Sequence, residues 1–334
     1  MAILSLDPSP PEPTAIERAA AVLRAGGLVA FPTETVYGLG AHALDSAAVL
    51  RIYAAKGRPS FNPLIVHVAS EAAARALAIE WPDAAAKIAR AFWPGPVTIV
   101  VRKREIVPDV VTAGLDSVAL RVPAHPVALA LIRAAAIPIA APSANRSTEL
   151  SPTSARHVAR SLGNRVDLVL DGGDTVVGIE STVIDLRGHR PAILRPGVIG
   201  PRELSPLIGE LASVDAVGGG DAPRASPGQL DRHYAPRARV ELYTPADAER
   251  TARIGGDLAA TGKTVGAMSL TTELTGMPRV IHMPPDPVEY ARRLYATLHE
   301  LDDAGCDVVF VERVPDAEAW AAIADRLLRA ATPA

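Results

Sequence analysis

The stretch Phe31-Pro-Thr-Glu-Thr-Val-Tyr-Gly-Leu-Gly40, with its sequel from Lys56-Gly57-Arg58 to His67, decides how the chain reads. Leu28 to Phe31 is a short apolar run that predicts a buried strand, and Pro32 ends it. Two threonines, a glutamate, a tyrosine and two glycines follow. A buried strand that opens into hydroxyls and glycines makes the floor of a cleft rather than a core. A helix is expected over 45–55, capped by Asp45. After it, Lys56-Gly57-Arg58 sets two cations two residues apart around a flexible glycine. In extended backbone, residues i and i+2 face the same way. One point charge and one planar fork would then aim at one place, as a polyphosphate requires. The alternative is a solvated Lys–Arg pair after a turn.

Composition narrows the class. The 334 residues are 49% apolar and 21% charged, enough to bury one large core or two ordinary ones. A formal net charge of −3 and only 4% aromatic residues argue against a broad nucleic-acid footprint. The single cysteine, Cys306, excludes an internal disulfide and a cysteine-rich zinc site, and reads as a small buried residue. Residues 1–13 are proline-rich and lack the basic and apolar regions of a signal peptide. No apolar run reaches membrane-spanning length. A soluble, cytoplasmic protein is expected.

Outward from the opening stretch, Thr14 and Glu17 have capping-box spacing before a helix that stops at Gly26-Gly27. Asn62-Pro63 marks a turn before a strand whose alternation puts Ile65 and His67 on one face. In the strand from Ser117 to Val122, Ser117, Ala119 and Arg121 face one way and Val118, Leu120 and Val122 the other. Pro142-Ser143-Ala-Asn145 is a second polar pair at i and i+2, and Ser151 or Thr153 is placed near the N-cap of the next helix. Strands alternate with helices to about residue 200, the pattern of a layered α/β domain. From 214 to 237 glycines and prolines mark a linker, which also carries Arg232-His-Tyr234-Ala. Four strands separated by helices follow, predicting a small doubly wound parallel sheet. The expectation is therefore a twisted open mixed sheet with a deep cleft over 1–213, a linker or lid over 214–237, and a Rossmann-like domain over 238–334.

Polar residues in the first domain gather at strand ends: Thr33, Thr35, Lys56, Arg58, Asn62, His67, Ser117, Arg121, Ser143, Asn145, Ser151, Ser181 and Arg195. Open α/β sheets bind ligands at such edges. Several cations and hydroxyls converging there point to an anionic ligand with phosphates. Neither the Walker nor the Rossmann glycine motif is present.

These residues carry a resemblance. The run Pro-Thr-Glu-Thr-Val-Tyr-Gly-Leu, Lys56-x-Arg58, Asn62-Pro-Leu-Ile-Val-His67, Trp93-Pro-Gly-Pro, Ala-Pro-Ser143-Ala-Asn145, Ser151-Pro-Thr and Gly-Ile-Glu-Ser-Thr182 closely resembles the L-threonylcarbamoyladenylate synthase (YrdC-like) family. The His-Tyr-Ala-Pro of the linker and the second α/β domain resemble its long, two-domain form. The resemblance implies a nucleotidyltransferase that converts ATP, L-threonine and bicarbonate to threonylcarbamoyl-AMP and pyrophosphate, with Mg²⁺ carried by ATP. The product would be handed to a tRNA threonylcarbamoyltransferase complex that modifies adenosine 37. By the same resemblance, Thr35, His67, Arg121, Ala141 and Ser181 hold threonine. Arg58, Asn62, Ser117, Ser143, Ser151, Arg195 and Tyr234 hold ATP, and Lys56 and Asn145 sit at the reacting phosphate. Thr148 stands where many members have glycine, so the loop to Ser151 is expected to differ in shape.

The residue types suit that chemistry. Arg121 can grip a carboxylate bidentately. The threonine amine must be neutral to attack, so no carboxylate is expected to press on it. Charge building on phosphate oxygens suits Lys56 and Arg58. Structural readings stay open beside these: a satisfied core histidine at 67, Arg121 paired with Glu34 or Glu180, and Tyr234 pinning the linker. An RNA-binding module without synthase activity is the alternative function, disfavoured by charge and aromatic content. A carbamoyl-adenylate transferase with another acceptor would bring zinc modules that this chain lacks.

Overall fold

The computed structural model describes residues 1–212 and 234–332. Most of the linker expected over 214–237, including Arg232 and His233, lies outside the described residues. The described chain divides into two compact units. The first holds Met1–Ser147, Pro152–Val176 and the described residues from Glu180 to 212; the second holds Thr148–Ser151, Val177–Ile179 and the described residues from 234 onward.

The first unit is built on ten strands: β1 (Ala2–Ser5), β2 (Val29–Phe31), β3 (Gly38–His42), β4 (Ile65–His67), β5 (Val97–Arg102), β6 (Ser117–Arg121), β7 (Ile139–Ala140), β8 (Leu168–Asp171), β9 (Thr182–Asp185) and β10 (Ala192–Arg195). They form one mixed sheet in the order β1-β8-β2-β3-β7-β4-β6-β5-β9-β10. Its helices are α1 (Pro13–Arg24), α2 (Ser46–Lys56), α3 (Glu71–Arg75), α4 (Asp83–Phe92), α5 (Asp109–Thr112), α6 (Pro126–Ala135), α7 (Ala155–Leu162) and α8 (Pro201–Ile208). Alternation divides the residues of the central strands between two faces. Val66, Val118, Leu120 and Val122 join the large core, whereas Ile65, Val100, Ala119 and Val183 form a small apolar patch on the other side.

Several local expectations are corrected. The lead-in is not all irregular: Ala2–Ser5 pairs in parallel with β8. The segment after the threonines is strand from Gly38, where β3 pairs with β2. Gly40 is needed there because a Cβ would fall 2.8 Å from the Phe31 ring. Helix α1 begins at Pro13 with Glu12 as its N-cap, so Thr14 lies inside the first turn and its hydroxyl donates to Glu12 Oε1 at 2.5 Å. Helix α7 is capped by Ser154, which accepts from the His157 amide, directly after Thr153, one of the two residues expected near the cap. Asp45 does cap α2, accepting from the Ala47 and Ala48 amides.

The second unit is a four-stranded sheet of β11 (Arg239–Tyr243), β12 (Val265–Ser269), β13 (Val280–His282) and β14 (Val308–Glu312). The order is β11-β14-β12-β13, and all pairings are parallel. With α9 (Ala248–Ala260), α10 (Pro287–Asp303) and α11 (Ala321–Ala330) this is the doubly wound arrangement expected. Buried Glu312, at the end of β14, accepts from the Leu270, Thr271 and Thr272 amides and from both threonine hydroxyls. Burial pushes its carboxyl upward, but those donors outweigh burial and hold it below the usual range. Cys306 is buried, as expected.

Candidate active site

Strand order brings the predicted polar residues into a row. Strands β4, β6, β5, β9 and β10 are consecutive neighbours. The parallel register of β4 and β6 sets His67 opposite Arg121. The antiparallel register of β5 and β6 pairs Ile99 with Leu120, which brings Thr98 level with Arg121. Val97 pairs with Thr182, so Ser181 reaches the same edge. Contacts between side chains follow this row. Arg121 Nη2 donates to Thr35 Oγ1 at 3.0 Å and its Nε donates to Gly95 O at 3.2 Å. Thr33 and Thr35 share a hydroxyl hydrogen bond of 2.8 Å, as do Thr98 and Ser181. Arg195 donates to Ser181 O and to Ser181 Oγ, both at 3.1 Å. From β7, the Ala141 amide donates to Ile65 O at 2.9 Å.

Arg121 and His67 are each 3% exposed. A buried guanidinium needs a counter-charge, and Glu34 supplies it, with Oε1 2.8 Å from Nη2. This is one of the two structural pairings left open for Arg121. Burial, and after it the Arg121 charge, pushes His67 down to about 3, so its ring is neutral. Its Nδ1 has no hydrogen-bond partner among the described residues.

The two cations of Lys56-Gly57-Arg58 part company. Lys56 is the last residue of α2, and Gly57 turns the chain with φ of +60°. The i, i+2 rule for extended backbone therefore does not apply. Lys56 Nζ donates to the carbonyls of Ser143 and Asn145, at 2.6 Å for the first. Arg58 donates instead to Asn62 O at 3.1 Å and Pro63 O at 2.8 Å. Lys56 thus clasps the Ser143–Asn145 loop, and Arg58 clasps the turn at Asn62. Asn62 is fully buried, yet neither atom of its amide has a partner among the described residues. Buried amides are nearly always satisfied, so these two atoms are exceptions within the candidate site. Asn145 Nδ2 donates to Arg146 O at 2.9 Å.

Ser117 lies at the far end of β6, four residues from Arg121 on the same face and about 13 Å away at strand rise. Its hydroxyl accepts from Arg187 Nη1 at 3.3 Å. Ser151 and Tyr234 belong to the second unit. There the Ser151 carbonyl accepts from His299 Nε2 at 3.1 Å. Tyr234 packs its ring 5.8 Å from that of Tyr295, and the Arg326 guanidinium lies 5.1 Å from the Tyr234 ring centre. Sequence reasoning missed Thr98 and Arg187 as partners. Thr98 had a signal, a hydroxyl amid the valines of β5; Arg187 lies beyond the end of β9 and had none.

A large mixed α/β sheet whose strand edge gathers buried arginines, hydroxyls and a neutral imidazole defines the class, an α/β protein with a polar site at its sheet edge. Residues 21–197 match the family profile described as "Telomere recombination" (Sua5/YciO/YrdC), and residues 199–332 match the "Threonylcarbamoyl-AMP synthase, C-terminal domain". The chain is 45% identical over 320 residues to the threonylcarbamoyl-AMP synthase of Pyrococcus abyssi, covering 94% of this chain and 93% of that protein. It is 40% identical over 322 residues to that of Bacillus subtilis, covering 95% and 92%. The crystal structure of P. abyssi Sua5 complexed with L-threonine superposes with a TM-score of 0.92 at 43% identity, over 99% of this chain and 98% of that one. The chain belongs to the threonylcarbamoyl-AMP synthase (Sua5/YrdC) family. Among the described residues, no helix is long and apolar enough to cross a membrane.

Proposed function

We propose that this chain is a threonylcarbamoyl-AMP synthase, which condenses L-threonine, bicarbonate and ATP into threonylcarbamoyl-AMP with release of pyrophosphate. The observation that carries the reading is the row of buried polar groups from His67 through Arg121 and Ser181 to Arg195, in a chain so similar to a protein solved with L-threonine.

In this reading Arg121 takes the threonine carboxylate, with Thr35, His67, the Ala141 backbone and Ser181 around it. His67 contributes a neutral ring, which can accept or donate a hydrogen bond without adding charge. Arg58, Asn62, Ser117, Ser143, Ser151, Arg195 and Tyr234 are assigned to ATP. Lys56 and Asn145 serve the reacting phosphate, Lys56 by fixing the Ser143–Asn145 loop and by its charge. The neutral amine condenses with bicarbonate, losing water, to give the carbamate; the carbamate oxygen then attacks the α-phosphorus and pyrophosphate leaves. Positioning and electrostatic stabilisation then supply the catalysis, without a protein nucleophile.

As the family resemblance implies, magnesium would arrive with the triphosphate and help neutralise its charge. The product suits delivery to a tRNA-modifying transferase in the cytoplasm.

The test is pyrophosphate release from ATP with threonine or bicarbonate omitted in turn. Release that needs both, and that fails in Arg121→Ala, supports the synthase. Release indifferent to threonine, or none beside tight RNA binding, discards it.

A further inference from the structure

Glu34 has a buried oxygen that is ion-paired but accepts no hydrogen bond among the described residues. The residue is 6% exposed. Its Oε2 accepts from the Ala124 amide at 3.0 Å, which fixes the carboxylate plane. Its Oε1 lies 2.8 Å from Arg121 Nη2 and yet makes no hydrogen bond. Proximity supplies charge neutralisation, but the oxygen does not lie along an N–H. The Arg121 nitrogen donates instead to Thr35 Oγ1. A carboxylate oxygen has room for two donors, and leaving it without one inside a protein is costly. The same edge carries the unpartnered Nδ1 of a neutral His67.

We infer that Glu34 Oε1 receives the α-ammonium of the amino-acid substrate, so that Arg121 and Glu34 together read a zwitterion. The inference rests on the proposed function and adds a specificity residue to it. In an α-amino acid the ammonium and the carboxylate are separated by a single carbon. A carboxylate on Arg121 Nη2 therefore brings its own ammonium within reach of an oxygen adjacent to that nitrogen. Without substrate the pair neutralises itself, which makes two buried charges tolerable. With substrate, each partner gains a second neighbour of opposite charge, and the zwitterion adds no net charge to the site. Sharing Glu34 with Arg121 also weakens its hold on the ammonium, which must later lose a proton to become nucleophilic. His125 also faces Glu34, and burial pushes its ring below the usual histidine range despite that carboxylate.

The experiment compares two ligands on the whole protein. L-threonine and the matching 3-hydroxybutanoate, which lacks only the amino group, are titrated calorimetrically against wild type and Glu34→Gln. Glu34→Gln keeps the size of the side chain and an acceptor for the Ala124 amide. Threonine affinity should fall tenfold or more. The analogue should bind as well as before or better, because Arg121 loses its competing partner. Equal weakening of both ligands would mean that Glu34 acts only on Arg121, and no change would mean that it does not meet the substrate; either overturns the inference. If Glu34→Gln does not fold, Glu34→Asp, which keeps the charge and shortens the reach, should weaken threonine alone. Wild type that binds no threonine sinks the functional reading itself and is distinguished by that control.

Discussion

His67 and Arg121 stand opposite each other in adjacent parallel strands, and the buried guanidinium helps keep the imidazole uncharged. In the unfolded chain this histidine protonates near pH 6.5, and in the folded chain only at about 3. Between those values the unfolded state binds the extra proton, so stability falls as pH falls through the window. The His67 ring should show no titration by NMR from pH 8 down to pH 5, in the range where an ordinary histidine changes charge. A midpoint near that of a free histidine would show that the ring is not held neutral.

Lys56 is buried and donates to the carbonyls of Ser143 and Asn145. Lys56→Met preserves the stem and removes both charge-assisted bonds. Two orphaned acceptors make the expected loss about 2–4 kcal/mol in urea unfolding, together with most of the pyrophosphate release. An unchanged urea midpoint would mean that the clasp does not hold the loop.

Thr148 has φ of 71°, a conformation that a β-branched residue rarely adopts. By the family resemblance, many members carry glycine at this position. The left-handed region costs an L-residue about 1–2 kcal/mol, and glycine's unfolded-state entropy returns about 0.5–1 kcal/mol of any gain. Thr148→Gly should therefore stabilise by about 0.5–1 kcal/mol. A lower urea midpoint in the variant would refute the strain.

Gly178 has φ of +83°, and a Cβ there would lie 2.5 Å from the Ala291 carbonyl oxygen and the Arg292 Cα. Helix backbone cannot yield as a side-chain tip can, so Gly178→Ala should cost about 3 kcal/mol or more. Gly57 is the control. Its φ is +60°, but nothing lies within 4 Å of its Cβ direction, so Gly57→Ala should cost only about 1 kcal/mol. Equal losses in thermal unfolding would show that φ alone decides both.

The parts of the fold that could be read in advance are those with local causes. Alternation sorted Val118 and Leu120 from Ala119 and Arg121, and the structure divides them the same way. Asp45 announced α2 through its capping chemistry. The four strands of the second unit were legible because each is a short apolar run between helical segments. What escaped depends on distant partners. Ala2–Ser5 is only four residues long, lies just before a run of prolines, and becomes a strand because β8 lies beside it. Gly38–His42 looks like loop until β2 and β7 bracket it. At the candidate site, residue types were legible and directions were not. One extra helical residue at Lys56 was enough to send it and Arg58 to different carbonyls.

Glu312 gives the second sheet a character of its own. Doubly wound sheets usually meet phosphate at the carboxyl ends of their strands through backbone amides. Here the three consecutive amides after β12 already face a resident carboxylate. An arriving phosphate would find that berth filled by a like charge and would have to evict it. The fold most often associated with nucleotides carries, at this loop, a built-in anion of its own.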